Sequence, residues 1–201
     1  MNQQYEIEFK NVLTKEQYEQ LLKEFNIKPH QIVRQINHYL DTEEGHLKKL
    51  SSALRVREEN GTIVCTLKEQ TSEHIHLETT DQLTEQQRDE ILSGQNFAAP
   101  SVKERLIQMQ VPIEDLRPFG TLTTDRAEIP YKGGVLVFDH SFYLHCDDYE
   151  VEYETKDSKL GKEVFLSFLQ ERNINIQTAD KKIARFMKAL KGKGDLDWKR
   201  Q

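Results

Sequence analysis

Apolar and polar side chains alternate one for one in several stretches of this chain, and that period marks strands with two unlike faces. The first stretch is Glu6-Ile7-Glu8-Phe9-Lys10, and a late counterpart is Glu150-Val151-Glu152-Tyr153-Glu154. Between them the pattern predicts strands at 32–41, 52–59, 62–69, 74–80, 121–129, 134–143 and 148–155. Asn60-Gly61 is a type I′ hairpin signal between two of these, and Gly133-Gly134 is read as the turn between two others. Helical spacing follows the first strand. Thr14 caps it, Gln17 completes a capping box, Leu13 staples to Tyr18, and the buried stripe is Tyr18, Leu21, Leu22 and Phe25. A helix from Thr84 to Ser93 ends at Gly94, and one from Ser101 to Gln110 opens on a Ser101/Glu104 capping box. Helices over about 161–172 and 180–190 close the chain before a basic, glycine-containing tail expected to be mobile, about 191–201. There is no repeat beyond the two acidic strands, no low-complexity segment and no clear linker, so a single domain over 1–201 is expected, with a helical insertion at about 82–118.

The strand faces carry the chemistry. Arg55 and Arg57 lie two apart in Ala53-Leu54-Arg55-Val56-Arg57, so both guanidinium groups point one way while Leu54 and Val56 point the other. Lys68 follows on the partner strand, Arg126 ends Thr123-Thr124-Asp125-Arg126, and Lys10 shares the face of Glu6 and Glu8. Six strands thus bear charge on one face and apolar groups on the other. Carboxylates at this density repel unless a cation or basic partner offsets them. A sheet closed with its charged faces inward would have a polar channel inside and an apolar outside for the helices to cover. About eight strands are enough to close one.

Composition narrows the partners. The 201 residues suffice for one substantial core, with 36% hydrophobic and 31% charged residues. A net charge of -6 and a pI near 5.7 argue against general affinity for nucleic acid or anionic membrane, so any anion site must be a local concentration of Lys and Arg. The N-terminus lacks an apolar h-region, and neither a signal peptide nor a spanning segment is expected. Cys65 and Cys146 lack metal-type spacing, and a cytoplasmic protein with two reduced thiols is the simplest reading. His74 and His76 are spaced as half of a zinc site without an evident third ligand; Cys65 reads as a small core residue. Lys48 and Lys49 belong to a loop from Thr42 to Ser51, and Trp198 to the tail.

Glu6-x-Glu8-x-Lys10 at the N-terminus, Leu54-Arg55-Val56-Arg57, Thr66-Leu67-Lys68, an acidic strand near Glu78, Arg126, Asp139 and the Glu150/Glu152 pair follow one another in an order that resembles the CYTH superfamily, the triphosphate tunnel metalloenzymes, and its bacterial Firmicutes-type members most of all. The resemblance runs from residue 6 to about 187. It implies an α+β fold: a closed eight-stranded antiparallel barrel with helices packed outside, binding triphosphate with Mg²⁺ or Mn²⁺. By position it implies that Glu6, Glu8, Glu78, Asp139, Glu150 and Glu152 hold metal. Lys10, Arg55, Arg57, Lys68 and Arg126 would hold phosphate oxygens, with Lys182 pointing into the tunnel from the C-terminal helix and Arg185 one turn later. Lys10 and Glu152 are the candidate catalytic groups, Glu152 as a carboxylate that orients the attacking water. The His145-Cys146-Asp147-Asp148 segment departs from the family's glycine-containing turn and leaves Asp147 and Asp148 without a role, and Glu78 lacks the arginine-rich approach usual there.

These residue types suit phosphate chemistry. A triphosphate carries about four negative charges near neutral pH, and Arg and Lys supply charge-assisted hydrogen bonds to its oxygens. Hard divalent cations take oxygen ligands and retain waters, which suits carboxylates beside the phosphate chain. The expected activity is metal-dependent hydrolysis of triphosphate substrates, preferably inorganic tripolyphosphate. A class IV-type adenylate cyclase acting on ATP, a thiamine triphosphatase, and a non-catalytic polyphosphate or nucleotide sensor are the alternatives. Carboxylates lining the site argue against a plain anion sensor. The expected assembly is a monomer or homodimer.

Overall fold

A computed structural model describes residues 2–177 and 182–197. Eight antiparallel strands close into a barrel in the order β1-β5-β4-β3-β2-β6-β7-β8. They are β1 (Gln3–Leu13), β2 (Val33–Asp41), β3 (Ser52–Glu59), β4 (Thr62–Gln70), β5 (Ile75–Leu83), β6 (Arg117–Tyr131), β7 (Gly134–Tyr143) and β8 (Cys146–Thr155). The helices are α1 (Lys15–Glu24), α2 (His46–Lys49), α3 (Glu85–Ser93), α4 (Pro100–Gln108), α5 (Ser158–Glu171) and α6 (Lys182–Asp197). Among the described residues no helix is long and apolar enough to cross a membrane.

Closure depends on β1, which pairs with β5 through its first half (Glu6 opposite His76) and with β8 through its second half (Lys10 opposite Glu152). The alternation places Glu6, Glu8 and Lys10 inward and Phe9 outward. Two apolar clusters lie outside the barrel wall. One joins Leu54, Val56, Cys65 and Leu67 to α2, α3 and α4 through Leu47, Ile91, Val102 and Leu106. The other joins Phe9, Phe138, Val151 and Tyr153 to α1 and α5 through Tyr18, Leu21, Phe165 and Phe168. The third is different. Tyr39, Leu122 and Tyr143 share the inward parity of their strands, and Phe186 of α6 joins them, so an apolar group stoppers one end of the lumen. The Phe186 ring needs a bare backbone beneath it: a Cβ on Gly120 would lie 2.0 Å from that ring.

Local chemistry explains most element ends. Thr14 and Thr84 each make the full capping box, with Gln17 and Gln87, and Gly94 ends α3 in the left-handed region. Asn60 and Gly61 both take positive φ, as a type I′ turn requires. Four expectations need correction. The Ser101/Glu104 capping box does not form. Pro100 sets the first turn, Ala99 is the N-cap, and Asp81 Oδ2 accepts from Val102 N. The β6–β7 turn is Lys132-Gly133, with Gly134 inside β7; a Cβ there would stand 2.4 Å from Glu154 O. The Thr42–Ser51 loop holds helix α2, whose Leu47 and Lys48 amides donate to Asp41. Last, α6 runs to Asp197, into the stretch read as a mobile tail. Trp198 lies outside the described residues.

Candidate functional site

The inward faces enclose a cavity of about 100 Å³. Its walls carry six cationic side chains, Lys10, Arg55, Arg57, Lys68, Arg126 and Lys182, against four carboxylates, Glu6, Glu8, Glu152 and Glu154. The lining itself thus holds two more cations than carboxylates in a chain of net charge -6, with three further carboxylates behind it.

The charges are not evenly mixed. On the β1/β5/β4 side, Lys68 Nζ is ion-paired with Glu6, and lies 3.2 Å from Glu8 Oε2 and 3.6 Å from Glu78 Oε1. Lys10 Nζ donates to Glu8 Oε1 at 2.9 Å. On the β7/β8 side, Arg126 clasps Asp139 through Nε (2.8 Å) and Nη2 (2.6 Å), and Nη2 also reaches Glu152 at 3.0 Å. Lys182 Nζ, brought in by α6, is ion-paired with Glu150 and lies 2.6 Å from Asp139 and 2.8 Å from Glu152. The β2/β3 side is unlike both. Arg57 donates from Nε to the neutral Asn37 amide at 2.8 Å, and Arg55 Nε is buried without a hydrogen-bond partner. Among the described residues neither guanidinium has a carboxylate within ion-pairing distance.

The titration behaviour follows this geometry. Burial works against the charged form of Glu8, but the Lys68 and Lys10 ammonium groups outweigh it and bring the carboxyl down to about 2. Burial likewise opposes Glu152, which Lys182, Arg126 and Lys10 hold well below the usual carboxylate range. Burial wins at Glu6 and Glu150, whose carboxyls are pushed up. Arg57 is pulled down to about 9 by burial and by the nearby Arg55 and Arg126. Its proton is retained by a guanidinium under almost any condition, so the downward pull marks a cation lacking an anion.

Two groups of side chains suit a divalent cation. Asp139, Glu150 and Glu152 form one, and Glu6, Glu8 and His76 the other; within each, one ligand atom per residue lies within 4.8 Å of the others. In both places an ammonium, Lys182 or Lys68, stands among the carboxylates, so each wall already gathers oxygen ligands around a positive charge. The oxygen donors of both groups fit Mg²⁺ or Mn²⁺, and the second group adds the His76 imidazole.

Nine sequence-predicted residues line the cavity: Glu6, Glu8, Lys10, Arg55, Arg57, Lys68, Arg126, Glu152 and Lys182. Glu78, Asp139 and Glu150 stand behind them, buried and ion-paired. Arg185 is off the lining: it clasps Asp148 at 2.9 and 3.0 Å and reaches Glu150 at 2.6 Å, tying α6 to β8. Asp148 thereby gains a role that Asp147, bonded to His140 on the outside, does not share. The two-histidine zinc site does not form. His74 packs tilted against Phe9, 4.7 Å between centroids, while His76 sits in the lumen beside Glu8. Sequence reasoning missed Gln35, Asn37, Tyr39, Thr124, His76 and Glu154 as lining residues. His76, Thr124 and Glu154 have the inward parity of strands already assigned site residues, so extending the alternation finds them, whereas Gln35, Asn37 and Tyr39 lie on β2, which carries no predicted site residue to point to a face.

The fold and sequence recur among known proteins. The chain is 38% identical over 186 residues to the protein named "Putative triphosphatase YjbK" of Bacillus subtilis strain 168, covering 92% of this chain and 96% of that one. A crystal structure titled as a putative adenylate cyclase from Bacillus halodurans superposes with a TM-score of 0.88 at 36% identity, covering 92% of this chain and 99% of that one. A Hippeastrum protein, titled as a putative adenylyl cyclase with a dominant triphosphatase activity, shares the fold at a TM-score of 0.76 and 22% identity, over 92% of this chain and 95% of that one. The family model described as the CYTH domain matches residues 4–187, and the chain belongs to that family.

Proposed function

We propose that the lumen binds a linear triphosphate together with a divalent cation, and hydrolyses its terminal phosphoanhydride, with inorganic tripolyphosphate as the preferred substrate. The observation that carries this reading is the pair Arg55 and Arg57, half-buried in the lumen with no carboxylate of the described residues within ion-pairing distance and facing walls that hold carboxylates and amines together. Arg57 lacks an anion, Arg55 is held charged against burial by the more distant Glu78 and Glu6, and a phosphate chain lying against the pair satisfies both forks at once. Lys10, Lys68 and Lys182 already have partners, and each can turn its ammonium from a carboxylate to a phosphate oxygen.

Bound at Glu6, Glu8 and Glu78 on one side and Asp139, Glu150 and Glu152 on the other, Mg²⁺ or Mn²⁺ would supply neutralisation of phosphate charge and polarisation of the attacked phosphorus. The protein's part is positioning. Arg55, Arg57 and Arg126 fix the chain in line, Lys10 holds Glu8 and faces the phosphates, and Glu152 stays ionised and accepts a hydrogen bond from the attacking water. Among the described lining residues Tyr39 is the one phenyl or phenol ring, and the Phe186 cluster occupies it, so little is left to stack on an adenine or a thiazolium. That favours inorganic tripolyphosphate over ATP and thiamine triphosphate, and the name of the Bacillus subtilis relative, a putative triphosphatase, supports hydrolysis.

The test is phosphate release from tripolyphosphate, ATP and thiamine triphosphate, with cyclic AMP followed in parallel. Orthophosphate and pyrophosphate from tripolyphosphate are expected. Cyclic AMP from ATP with tripolyphosphate left intact would replace hydrolysis with the cyclase reading that the Bacillus halodurans title carries.

A further inference from the structure

His76 is an imidazole among carboxylates. It is 4% exposed, on β5 opposite Glu6, and its Nδ1 lies 3.7 Å from Glu8 Oε1. Ligand atoms from Glu6, Glu8 and His76 fall within 4.8 Å of one another. Ligands about 2.1 Å from an octahedral ion stand about 3 Å apart when adjacent and about 4.2 Å when opposite, and the 3.7 Å between His76 Nδ1 and Glu8 Oε1 falls between these, so that pair is spaced to share one ion. A second observation points into the same place. Two residues along the strand, Glu78 is nine-tenths buried, and its Oε1 accepts no hydrogen bond, the nearest ammonium being Lys68 at 3.6 Å. The other triad, Asp139, Glu150 and Glu152, offers oxygen alone.

We infer that the two walls differ in metal preference: His76 Nδ1 is a direct ligand on the β1/β5 side, which makes the Glu6/Glu8 site selective for a first-row transition cation over Mg²⁺, while the β7/β8 triad remains an oxygen site. The inference deepens the proposed function by naming which cation each wall holds, and it rests on that reading for the presence of metal at all. The physical basis is ligand softness. Imidazole nitrogen binds along the rising series from Mn²⁺ to Co²⁺ and beyond, whereas Mg²⁺ holds oxygen and water and gains little from nitrogen. On loading, Lys68 leaves the carboxylates it now pairs and addresses the anion, so ion and substrate enter without adding to the carboxylate repulsion.

Metal binding read without substrate tests this. Metal-free protein is titrated with Mg²⁺, Mn²⁺ and Co²⁺ by calorimetry, and the Mn²⁺ complex is examined by pulsed electron paramagnetic resonance for directly bound nitrogen. The parent is expected to show ¹⁴N modulation that changes to the ¹⁵N pattern on labelling with ¹⁵N-histidine, and to bind Mn²⁺ roughly tenfold or more tighter than Mg²⁺ at one site. His76→Gln should lose the nitrogen signal and about tenfold in Mn²⁺ affinity, with Mg²⁺ affinity within about twofold. A parent Mn²⁺ complex without nitrogen coupling overturns the inference, and so does a His76→Gln protein with the parental Mn²⁺ to Mg²⁺ ratio. Should His76→Gln fail to fold, judged by its melt in EDTA, the labelled parent alone decides. Nitrogen coupling in a protein that hydrolyses no triphosphate would leave this inference standing and remove the hydrolase; hydrolysis by a protein without the coupling would do the reverse.

Discussion

Glu8 and Arg57 face one lumen under opposite electrostatic pressures. Glu8 is held at about 2 against burial by Lys68 and Lys10, whereas an unfolded chain leaves it near its ordinary value of 4.5. A depressed carboxyl stabilises the fold above the unfolded value, and that contribution is lost as pH falls through the folded one. In EDTA, the stability gap between the parent and Glu8→Gln should therefore be full above about pH 5, about 2–3 kcal/mol, and close between about pH 4.5 and 2. Urea melts across that range check it; a gap that persists unchanged at pH 2 refutes the pairing. Glu6, pushed up by burial, works the other way, so Glu8 is the residue to substitute. Arg57 is the converse case, a cation waiting for an anion. Tripolyphosphate in EDTA should raise the melting temperature of the parent, and Arg57→Ala should weaken that binding by about 2 kcal/mol, roughly thirtyfold, as calorimetry would read. Equal affinity in the variant would mean that the anion lies elsewhere. Arg57's facing was legible from its spacing to Arg55. The absence of its counter-charge was not, because that depends on which strands close beside β3.

At the scale of elements, β3 separates two duties by parity alone. Leu54 and Val56 are fully buried on the outside against α2, α3 and α4, while Arg55 and Arg57 face in. Leu54→Ala should cost about 2–5 kcal/mol in denaturant melts and leave tripolyphosphate affinity within about twofold, since the cavity it opens lies outside the wall. Helix α6 has the opposite arrangement, packing inward. It holds Lys182 in the cavity, with Phe186 seated on Gly120 and Arg185 tied to Asp148 and Glu150. Gly120→Ala should unseat the ring, because the new methyl has no room, and so withdraw Lys182; turnover should fall at least tenfold while the barrel melts near the parental temperature. A variant with parental turnover would show that the seat does not position the lysine. Strand periods, the Thr14 cap, the Gly94 helix end and the Asn60-Gly61 turn were readable in the sequence because each is a local rule. Helix α2 and the start of α4 were not, because Asp41 and Asp81, each from a neighbouring strand end, supply their caps.

For the whole molecule, the closed lumen predicts what is recognised. In the proposed function Arg55, Arg57, Arg126 and three lysines address phosphate oxygens, so pyrophosphate, one phosphoryl group shorter, should compete with tripolyphosphate at least tenfold more weakly, and a chelator should abolish turnover until Mg²⁺ or Mn²⁺ is restored. Full turnover in excess EDTA would rule out a metal role. The barrel as such was legible from the repeated one-sided charge of its strands, whereas the two unlike acidic walls were not, since His76 and Glu78 meet Glu6 and Glu8 only through the β1–β5 register. That register has a consequence for synthesis. β1 leaves the ribosome well before β8, yet the second half of its backbone pairs with β8. Until residue 155 or so has emerged, the N-terminal strand keeps an open edge. Its Glu6, Glu8 and Lys10 then serve a second purpose, since charged edges are poor templates for pairing with another nascent chain.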